Sequence, residues 1–183
     1  VNEIEGRLLA LGGILEACVA LRHGPHQDEM LVAYLVISPG AGCHSDELQE
    51  RLAAGLPEYM VPRRFVFLPE LPKTPTQKVD RNRLPALTAT RPTLRTPFVA
   101  PTTPIAARLA AIWAEVLGLD VIGIHDEFLA LGGDSLRAAQ LANRVRNAFA
   151  LELPMTTLLA AATVAAMAVV VALCLCGVAG CGD

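Results

Sequence analysis

Concentrated positive charge is missing from this sequence of 183 residues. Lys and Arg number 15, Asp and Glu number 18, and the formal net charge is −3, with the acidic residues scattered along the chain. Proteins bind nucleic acids and anionic membrane surfaces through clustered basic residues. The composition therefore argues against nucleic acid as a partner and against attraction to a charged membrane surface.

The sequence also lacks the glycine-rich loops that hold nucleotide phosphates in P-loop and dinucleotide-binding proteins. Its cysteines have the spacing of neither a zinc site nor a disulfide framework, because Cys18 and Cys43 are isolated and Cys174, Cys176 and Cys181 have no fourth ligand. We therefore expect no metal site. Cysteines without such spacing are typical of a reducing compartment, so we expect a cytoplasmic location.

A turn in the second half of the chain brings two glycines, an acid and a serine together as Gly132-Gly133-Asp134-Ser135-Leu136. Apolar residues recur from Leu136 through Leu141, Val145 and Phe149, which predicts a helix with Ser135 in its first turn. The free N–H groups and the dipole of a helix N-terminus favour an anion, which suits a hydroxyl that carries a phosphodiester. Asp and Ser are also ordinary N-cap residues, so capping remains an equal alternative from these residues alone.

The surrounding residues extend this pattern to Asp126-Glu127-Phe128 followed by Leu131-Gly132-Gly133-Asp134-Ser135-Leu136. From about Pro101 to Val171 the sequence resembles the peptidyl or aryl carrier domains of nonribosomal peptide synthetases, and we assign residues 102–171 to such a domain. The resemblance implies that a phosphopantetheinyl transferase attaches 4'-phosphopantetheine from coenzyme A to Ser135. The thiol of that arm would hold an acyl or aminoacyl group as a thioester, and the residues that support the motif would be Gly132, Gly133, Asp134 and Leu136.

The apolar spacing of this region agrees with an all-α four-helix carrier bundle. The first helix stops at Gly118, and its apolar face consists of Ile105, Leu109, Ile112, Trp113 and Val116. The second helix begins at Ser135, a short third lies near 156–159, and Thr163 caps the fourth. The inward residues of the fourth helix, which we expect to close the core against Trp113 and Phe149, are Val164, Met167 and Val171.

The four residues Gly133-Asp134-Ser135-Leu136 also match the signature of the GDSL esterases and lipases, in which the serine is a nucleophile. Such a serine needs a histidine base that is oriented by a carboxylate. In that family the Asp and His blocks follow the serine, but the last histidine of this chain is His125. The hydrolase is therefore disfavoured. An interaction module whose Ser135 is never modified is the other alternative.

The first half of the chain alternates strand-like and helical patterns. Apolar runs predict strands at 17–21, 30–37 and 65–68, and helical spacing predicts helices at 2–11 and 45–54. Ser45 is a suitable N-cap for the second of these helices. We therefore predict a small α+β domain before the helical one.

Two segments of this half are distinctive, and they read Gly55-Leu56-Pro57-Glu58-Tyr59-Met60-Val61-Pro62 and Leu71-Pro72-Lys73-Thr74-Pro75-Thr76-Gln77-Lys78-Val79-Asp80-Arg81. Together with the opening Glu3-Ile4-Glu5, they resemble the late motifs of adenylate-forming enzymes, whose C-terminal lid subdomain would cover residues 1–87. The resemblance implies that Lys78 reaches the acyl carboxylate and the ATP-derived phosphate during adenylate formation. A compact ammonium suits that charge, and a solvated basic loop is the alternative.

One position departs from the family pattern. Peptide synthetases commonly have Asn-Gly before this lysine, whereas this chain has Thr76-Gln77. Gln adopts a positive φ at a higher cost than Gly, so the geometry of the loop stays open.

The sequence does not include the large N-terminal subdomain that would supply the phosphate loop, the adenine site and the acyl pocket. We therefore expect a fragment of a longer synthetase, whose complete form is an acid–thiol ligase that uses ATP and Mg, while this fragment alone is not catalytic. Expected partners are that N-terminal adenylation subdomain, a phosphopantetheinyl transferase and a downstream condensation, epimerisation or thioesterase-type domain. Residues 88–101, rich in Pro and Thr, are predicted to link the two domains and to let the carrier move.

Charge is absent between Glu152 and Asp183, and residues 158–179 are almost continuously apolar. The run is long enough to span a bilayer, but it is rich in Ala, lacks flanking basic or aromatic anchors and includes the closing helices of the carrier. We therefore expect no membrane segment, and we assign no role to the tail of residues 172–183.

Overall fold

The computed structural model describes residues 2–24, 29–151 and 154–179, and the chain divides into two compact units between Arg95 and Thr96. The first unit contains both helices and a sheet, and the second is built from helices. This result confirms the predicted α+β and all-α fold classes.

The first unit contains two helices and three strands at the predicted places. In chain order these elements are α1 (Asn2–Ala10), β1 (Ile14–His23), β2 (Glu29–Ile37), α2 (Ser45–Ala53) and β3 (Arg64–Phe67), with a 3-10 turn at Glu58–Met60 before β3. Strand β1 extends beyond the predicted run at both ends, and β2 begins one residue earlier than predicted, because backbone pairing continues to Ile14 opposite Ile37 and to His23 opposite Glu29.

The sheet has the strand order β1-β2-β3, with β2 in the centre. Strand β1 pairs antiparallel with β2 from Ile14 opposite Ile37 to His23 opposite Glu29, and β3 pairs parallel with β2. Successive side chains of a strand point to opposite faces. Since both faces of β2 are covered, its centre is a continuous buried run rather than an alternating one.

Two different kinds of structure cover the two faces of this sheet. On one face, α1 and α2 pack against Val19, Leu35 and Phe65. On the other face, Leu71 and Leu84 pack against the strands, together with the fully buried Tyr34. The segment between these two leucines contains Lys78, so the predicted lysine loop is anchored to the sheet on both sides.

The prediction that Ser45 caps α2 is wrong. Ser45 is the first residue of the helix, His44 occupies the N-cap position, and no side-chain cap is formed there. The Ser45 N–H donates to Thr93 O at 2.8 Å. Its hydroxyl is buried and has no hydrogen-bond partner among the described residues. At the start of α2, the carbonyl of Thr93, which is far along the chain, thus binds a backbone N–H in place of a local side-chain cap.

Residues 88–95, which the sequence analysis placed in the linker 88–101, pack against the first unit. The Arg64 guanidinium donates to the carbonyls of Thr88 and Thr90. Arg95 pairs with Asp46 at 2.8 Å. Burial alone would raise the pKa of the Asp46 carboxyl, but the hydrogen bonds and the charge of Arg95 outweigh it and hold that pKa below its ordinary value. Ion pairs that composition does not reveal therefore fix the first half of the Pro/Thr-rich stretch.

The second unit consists of α3 (Pro104–Leu117), α4 (Ser135–Phe149), α5 (Met155–Ala160) and α6 (Val164–Ala179). The helices α4, α5 and α6 begin within one residue of their predicted starts. Thr103 caps α3, Gly118 ends it with φ 65°, and the Thr163 hydroxyl accepts from the Ala166 N–H at the start of α6. The predicted cap at Thr163 and the predicted stop at Gly118 are confirmed.

The core of the second unit is centred on Trp113, which is fully buried. Its indole N–H donates to the Met167 sulfur at 3.5 Å. Val164 and Val171 are also fully buried. The three inward residues predicted for α6 are therefore confirmed. Val171 is the last fully buried residue among the described part of this helix.

The apolar run predicted for α4 is out of phase at its start. Leu136 is 69% exposed, whereas Ala138, Leu141 and Val145 are buried. Successive helical residues turn by about 100°, so Leu136 lies roughly 140° away from Leu141. Leu136 therefore faces solvent, next to Ser135.

The apolar C-terminal region forms α6, and the predicted tail 172–183 begins within that helix. Leu173 is 68% exposed. Residues 180–183, including Cys181, lie outside the described residues. Within the described part of the chain, no helix has both the length and the apolar character needed to cross a membrane.

Candidate functional site

The serine turn of the second unit, residues 131–135, is held by a series of short backbone bonds. The N–H groups of Leu131, Gly132 and Gly133 donate to the carbonyls of Glu127, Leu129 and Phe128, at 2.9 to 3.1 Å. Gly132 has φ 88°, a conformation that favours glycine. The first glycine of the motif thus reverses the chain before α4 begins.

Gly133 is required for a different reason, which is close packing. A Cβ atom at this position would lie 2.3 Å from the Phe128 ring and 2.6 Å from the Phe128 carbonyl oxygen. The Phe128 ring in turn packs edge-on against Trp113, with 5.2 Å between the ring centroids. The turn that precedes the serine therefore rests directly on the core of the second unit.

Asp134, and not Ser135, caps α4. Its carboxylate accepts from the N–H groups of Leu136 and Arg137 at 2.8 and 3.0 Å. Ser135 is the first residue of the helix and is exposed. The capping alternative therefore applies to Asp134 and leaves the Ser135 hydroxyl outside the cap.

These contacts also test how well the turn fits a phosphodiester. Two of the first N–H groups of α4 already bind the Asp134 carboxylate, so the argument from free N–H groups is weaker than the sequence suggested. Exposure is the stronger argument, because a long arm on the Ser135 oxygen has open solvent around it. The turn fits the group as an accessible attachment point rather than as an anion pocket.

Arg137 belongs to the site although the sequence did not predict it, and its charged side chain is only 5% exposed. Its guanidinium donates to the Asp134 carboxylate at 3.2 Å and to Gly132 O at 3.3 Å. Charged residues are rarely buried unless they are paired. Leu136 and Arg137 have thus exchanged the environments that their hydrophobicity predicts.

The lysine loop of the first unit, residues 72–80, is a hairpin. The N–H of Thr74 donates to Lys78 O at 2.7 Å, and Lys73 and Val79 form an antiparallel bridge. At the tip, the Gln77 N–H donates to Thr74 O at 2.9 Å. Lys78 directly follows the tip and is exposed.

Gln77 resolves the question of loop geometry that its identity raised. Its φ is 63°, which lies in the left-handed region that favours glycine. The loop therefore keeps a positive φ at the residue before the lysine, although glutamine adopts that angle at a cost.

Two ion pairs attach this hairpin to the body of the first unit. Lys73 pairs with Glu16 of β1 at 3.0 Å, and Arg81 pairs with Glu5 of α1 at 3.1 Å. Glu5 also accepts from the Val19 N–H at 2.8 Å. A hydrogen bond to the Cys18 side chain, together with the charge of Glu5, raises the pKa of the Arg81 guanidinium above its ordinary value.

Comparisons with known proteins assign a family to each unit. Residues 3–78 match the AMP-binding enzyme C-terminal domain, and residues 107–170 match the phosphopantetheine attachment site. The chain is 43% identical over 172 residues to malpibaldin synthetase of Mortierella alpina, a match that covers 92% of this chain and 3% of that protein. The chain belongs to the nonribosomal peptide synthetase family. It combines an adenylation C-terminal domain with a carrier domain.

Two further similarities also extend over most of the chain. Tyrocidine synthase 2 of Brevibacillus parabrevis is 39% identical over 168 residues, which cover 92% of this chain and 5% of that protein. A solved four-domain nonribosomal peptide synthetase, bound to AMP and glycine, is 34% identical with a TM-score of 0.45, and the match covers 93% of this chain and 12% of that one. The chain thus spans a small part of the relatives that it matches.

The two residues that the sequence analysis singled out lie in different domains. Lys78 is in the adenylation C-terminal domain and Ser135 is in the carrier domain. The predicted positions of both within their local elements are confirmed, and their chemical roles stay predictions. Among the described residues, no group of three or more His, Cys, Asp or Glu is placed to hold a metal ion.

Proposed function

We propose that the Ser135 oxygen is the attachment point of 4'-phosphopantetheine in the carrier domain. The observation that carries this proposal is an exposed hydroxyl at the first position of α4, directly after a turn that is packed on the core. The helix does not use this hydroxyl for its cap, since Asp134 supplies the cap. The match of residues 107–170 to the phosphopantetheine attachment family supports the same assignment.

The reaction needs a phosphopantetheinyl transferase and coenzyme A. The Ser135 hydroxyl loses its proton, its oxygen forms a new bond to phosphorus, and the phosphoanhydride bond of coenzyme A breaks with release of adenosine 3',5'-bisphosphate. When it is attached, the arm supplies a thiol that holds an acyl or aminoacyl group as a thioester. The residues of the chain supply the nucleophilic oxygen and a rigid turn that presents it.

We also propose a role for Lys78 in the complete synthetase. There the N-terminal adenylation subdomain would bind ATP with Mg and the acid, and the Lys78 ammonium would offset the negative charge that develops at the carboxylate and the phosphate. The hairpin supports this role, because two ion pairs and two buried leucines hold its arms while Lys78 stays exposed. The complete protein would thus act as an acid–thiol ligase.

Exposed apolar residues beside the serine support protein partners for the carrier domain. Leu136 is 69% exposed and Leu129 is 64% exposed, and both belong to the turn region around Ser135. A transferase and a downstream condensation, epimerisation or thioesterase-type domain would each need to bind close to the loaded serine. Two exposed leucines give such a partner apolar surface to cover.

The experiment uses the three serines of the chain, Ser38, Ser45 and Ser135. The full chain is treated with coenzyme A and a broad-specificity transferase, and intact mass is measured for the wild type, Ser135→Ala and Ser38→Ala. We expect one phosphopantetheine on the wild type and on Ser38→Ala, and none on Ser135→Ala. Because the Ser135 hydroxyl is exposed, its removal should change stability by less than about 0.5 kcal/mol. A wild-type chain that stays unmodified would favour an interaction module over a carrier.

A further inference from the structure

Arg137 occupies an unfavourable position for a cation. It lies in the first turn of α4, where the positive end of the helix dipole repels positive charge. Its side chain is 5% exposed, so water does little to offset that cost. Hydrogen-bond acceptors or a negative charge close to the guanidinium must therefore offset its positive charge.

The compensating groups lie on both sides of Gly133. One guanidinium nitrogen of Arg137 donates to Gly132 O at 3.3 Å and to the Asp134 carboxylate at 3.2 Å. The other oxygen of Asp134 caps the helix. The Arg137 side chain thus connects Gly132 and Asp134, the two neighbours of Gly133, which is the residue of the turn that packs against Phe128.

The turn is held from its other side by Phe128. The Gly133 N–H donates to Phe128 O at 2.9 Å, and the Phe128 ring fills the space where a Cβ of Gly133 would lie. Residues 132–134 are therefore fixed between an aromatic ring and a guanidinium. Ser135 is the first residue that leaves this arrangement.

We propose that Arg137 is a positioning residue for the modified serine. It fixes the 132–134 turn through Gly132 O and the Asp134 carboxylate, so that Ser135 presents its oxygen to the transferase in one orientation. The inference rests on the proposed role of Ser135. A displacement of about 1 Å at a reacting atom can reduce a rate by about 10²-fold.

The test compares loading rates of the full chain at saturating coenzyme A, at a temperature where every variant is folded by circular dichroism. We expect Arg137→Met to be loaded about 10- to 100-fold more slowly than the wild type, but to the same final mass. Arg137→Lys keeps the charge and loses the planar fork, so it should recover part of the rate. The matched control is Arg144→Met, an exposed arginine about 14 Å from Ser135 along the same helix, which should load at the wild-type rate.

A second measurement separates positioning from stability. Hydrogen exchange of the amides of 132–136 should become faster in Arg137→Met, while the amides around Trp113 keep their protection. If Arg137→Met does not fold, Asp134→Asn takes its place, because it keeps a capping oxygen and removes the charge that faces Arg137. Asp134→Asn should then slow loading in the same way. In a double-variant cycle with Arg137→Lys, the two effects should not add.

The outcomes are distinguishable. Loading of Ser135→Ala would overturn the proposed function itself. If Ser135→Ala blocks loading but folded Arg137→Met and Asp134→Asn load at the wild-type rate, Arg137 has no positioning role. Additive effects in the cycle, or unchanged exchange at 132–136, would likewise show that Arg137 only supports the core.

Discussion

The serine turn and the lysine hairpin hold their exposed side chains in place through different kinds of contact. Each presents one exposed side chain, Ser135 or Lys78, close in the chain to a residue with positive φ. The serine turn uses glycines, rests on Trp113 through Phe128, and is closed by a buried arginine. The lysine hairpin puts glutamine at φ 63° and is held by exposed ion pairs.

This difference indicates how much each site is expected to move. Buried aromatic contacts and a charge pair protected from water leave few alternative arrangements. Exposed ion pairs contribute little and weaken with salt. We therefore expect the serine turn to stay fixed and the tip of the lysine hairpin to be the more adaptable of the two.

The largest predicted effect separates the two chemistries. In the complete synthetase, Lys78→Ala should lower acid-dependent pyrophosphate exchange by about 10² to 10³, since a charge donor at the reacting centre is lost. Loading of Ser135 with its arm should be unchanged. The matched control is Arg83→Ala, which removes an exposed positive charge from the same segment. Equal losses of pyrophosphate exchange in both variants would show that Lys78 acts only as one of several surface charges.

A smaller effect tests the rigidity of the serine turn. Gly133→Ala should destabilise the carrier domain by about 1 to 3 kcal/mol, because the new Cβ meets both the ring and the carbonyl of Phe128. Gly42→Ala is the control, since no atom lies within 4 Å of its Cβ position. Urea unfolding of both variants measures the difference. If Gly133→Ala is as stable as the wild type, the contact between Gly133 and Phe128 is not tight enough to hold the turn rigid.

A third prediction tests the strain in the lysine hairpin. Gln77→Gly should stabilise the adenylation C-terminal domain by about 0.5 to 1 kcal/mol, because glycine adopts φ 63° without the steric cost. Ala150→Gly offers the same comparison in the carrier domain, where Ala150 ends α4 at φ 50°. Thr76→Gly, at a position without a positive φ, should give no gain. Thermal unfolding measures these stabilities. Equal gains in stability for Thr76→Gly and Gln77→Gly would show that the backbone of Gln77 is not strained.

The smallest effect concerns the end of α6. Removal of the residues after Val171 should leave loading at Ser135 unchanged and alter the stability of the carrier domain by less than about 1 kcal/mol. Val171 is the last fully buried residue described in this helix, and Leu173 is 68% exposed. Helical content by circular dichroism and the loading assay check this prediction. An unfolded truncation would mean that the exposed part of α6 supports the core.

The sequence predicted best what depends on local pattern. The start of α4, the stop of α3 at Gly118 and the cap at Thr163 follow from neighbouring residues, and all are observed. Predictions failed where distant residues intervene. Ser45 lost its capping role because Thr93 O approaches from 48 positions away.

The site shows the same division. The position of Ser135 follows from the glycine turn, but the burial of Arg137 does not, because side-chain hydrophobicity predicts the opposite order for Leu136 and Arg137. The helical phase was available as a signal, since Arg137 and not Leu136 is four residues before Leu141. The positive φ of Gln77 could be suspected only from the family's glycine at that position.

Attachment of the arm to Ser135 is tested most directly by locating the modification on the loaded wild-type chain. After treatment with transferase and coenzyme A, the chain is digested and each peptide is fragmented in a mass spectrometer. The peptides that contain Ser38, Ser45 and Ser135 are compared. We expect a single phosphopantetheine on Ser135 and none on the other residues. A modification on another residue, or no modification of a folded chain, would contradict it.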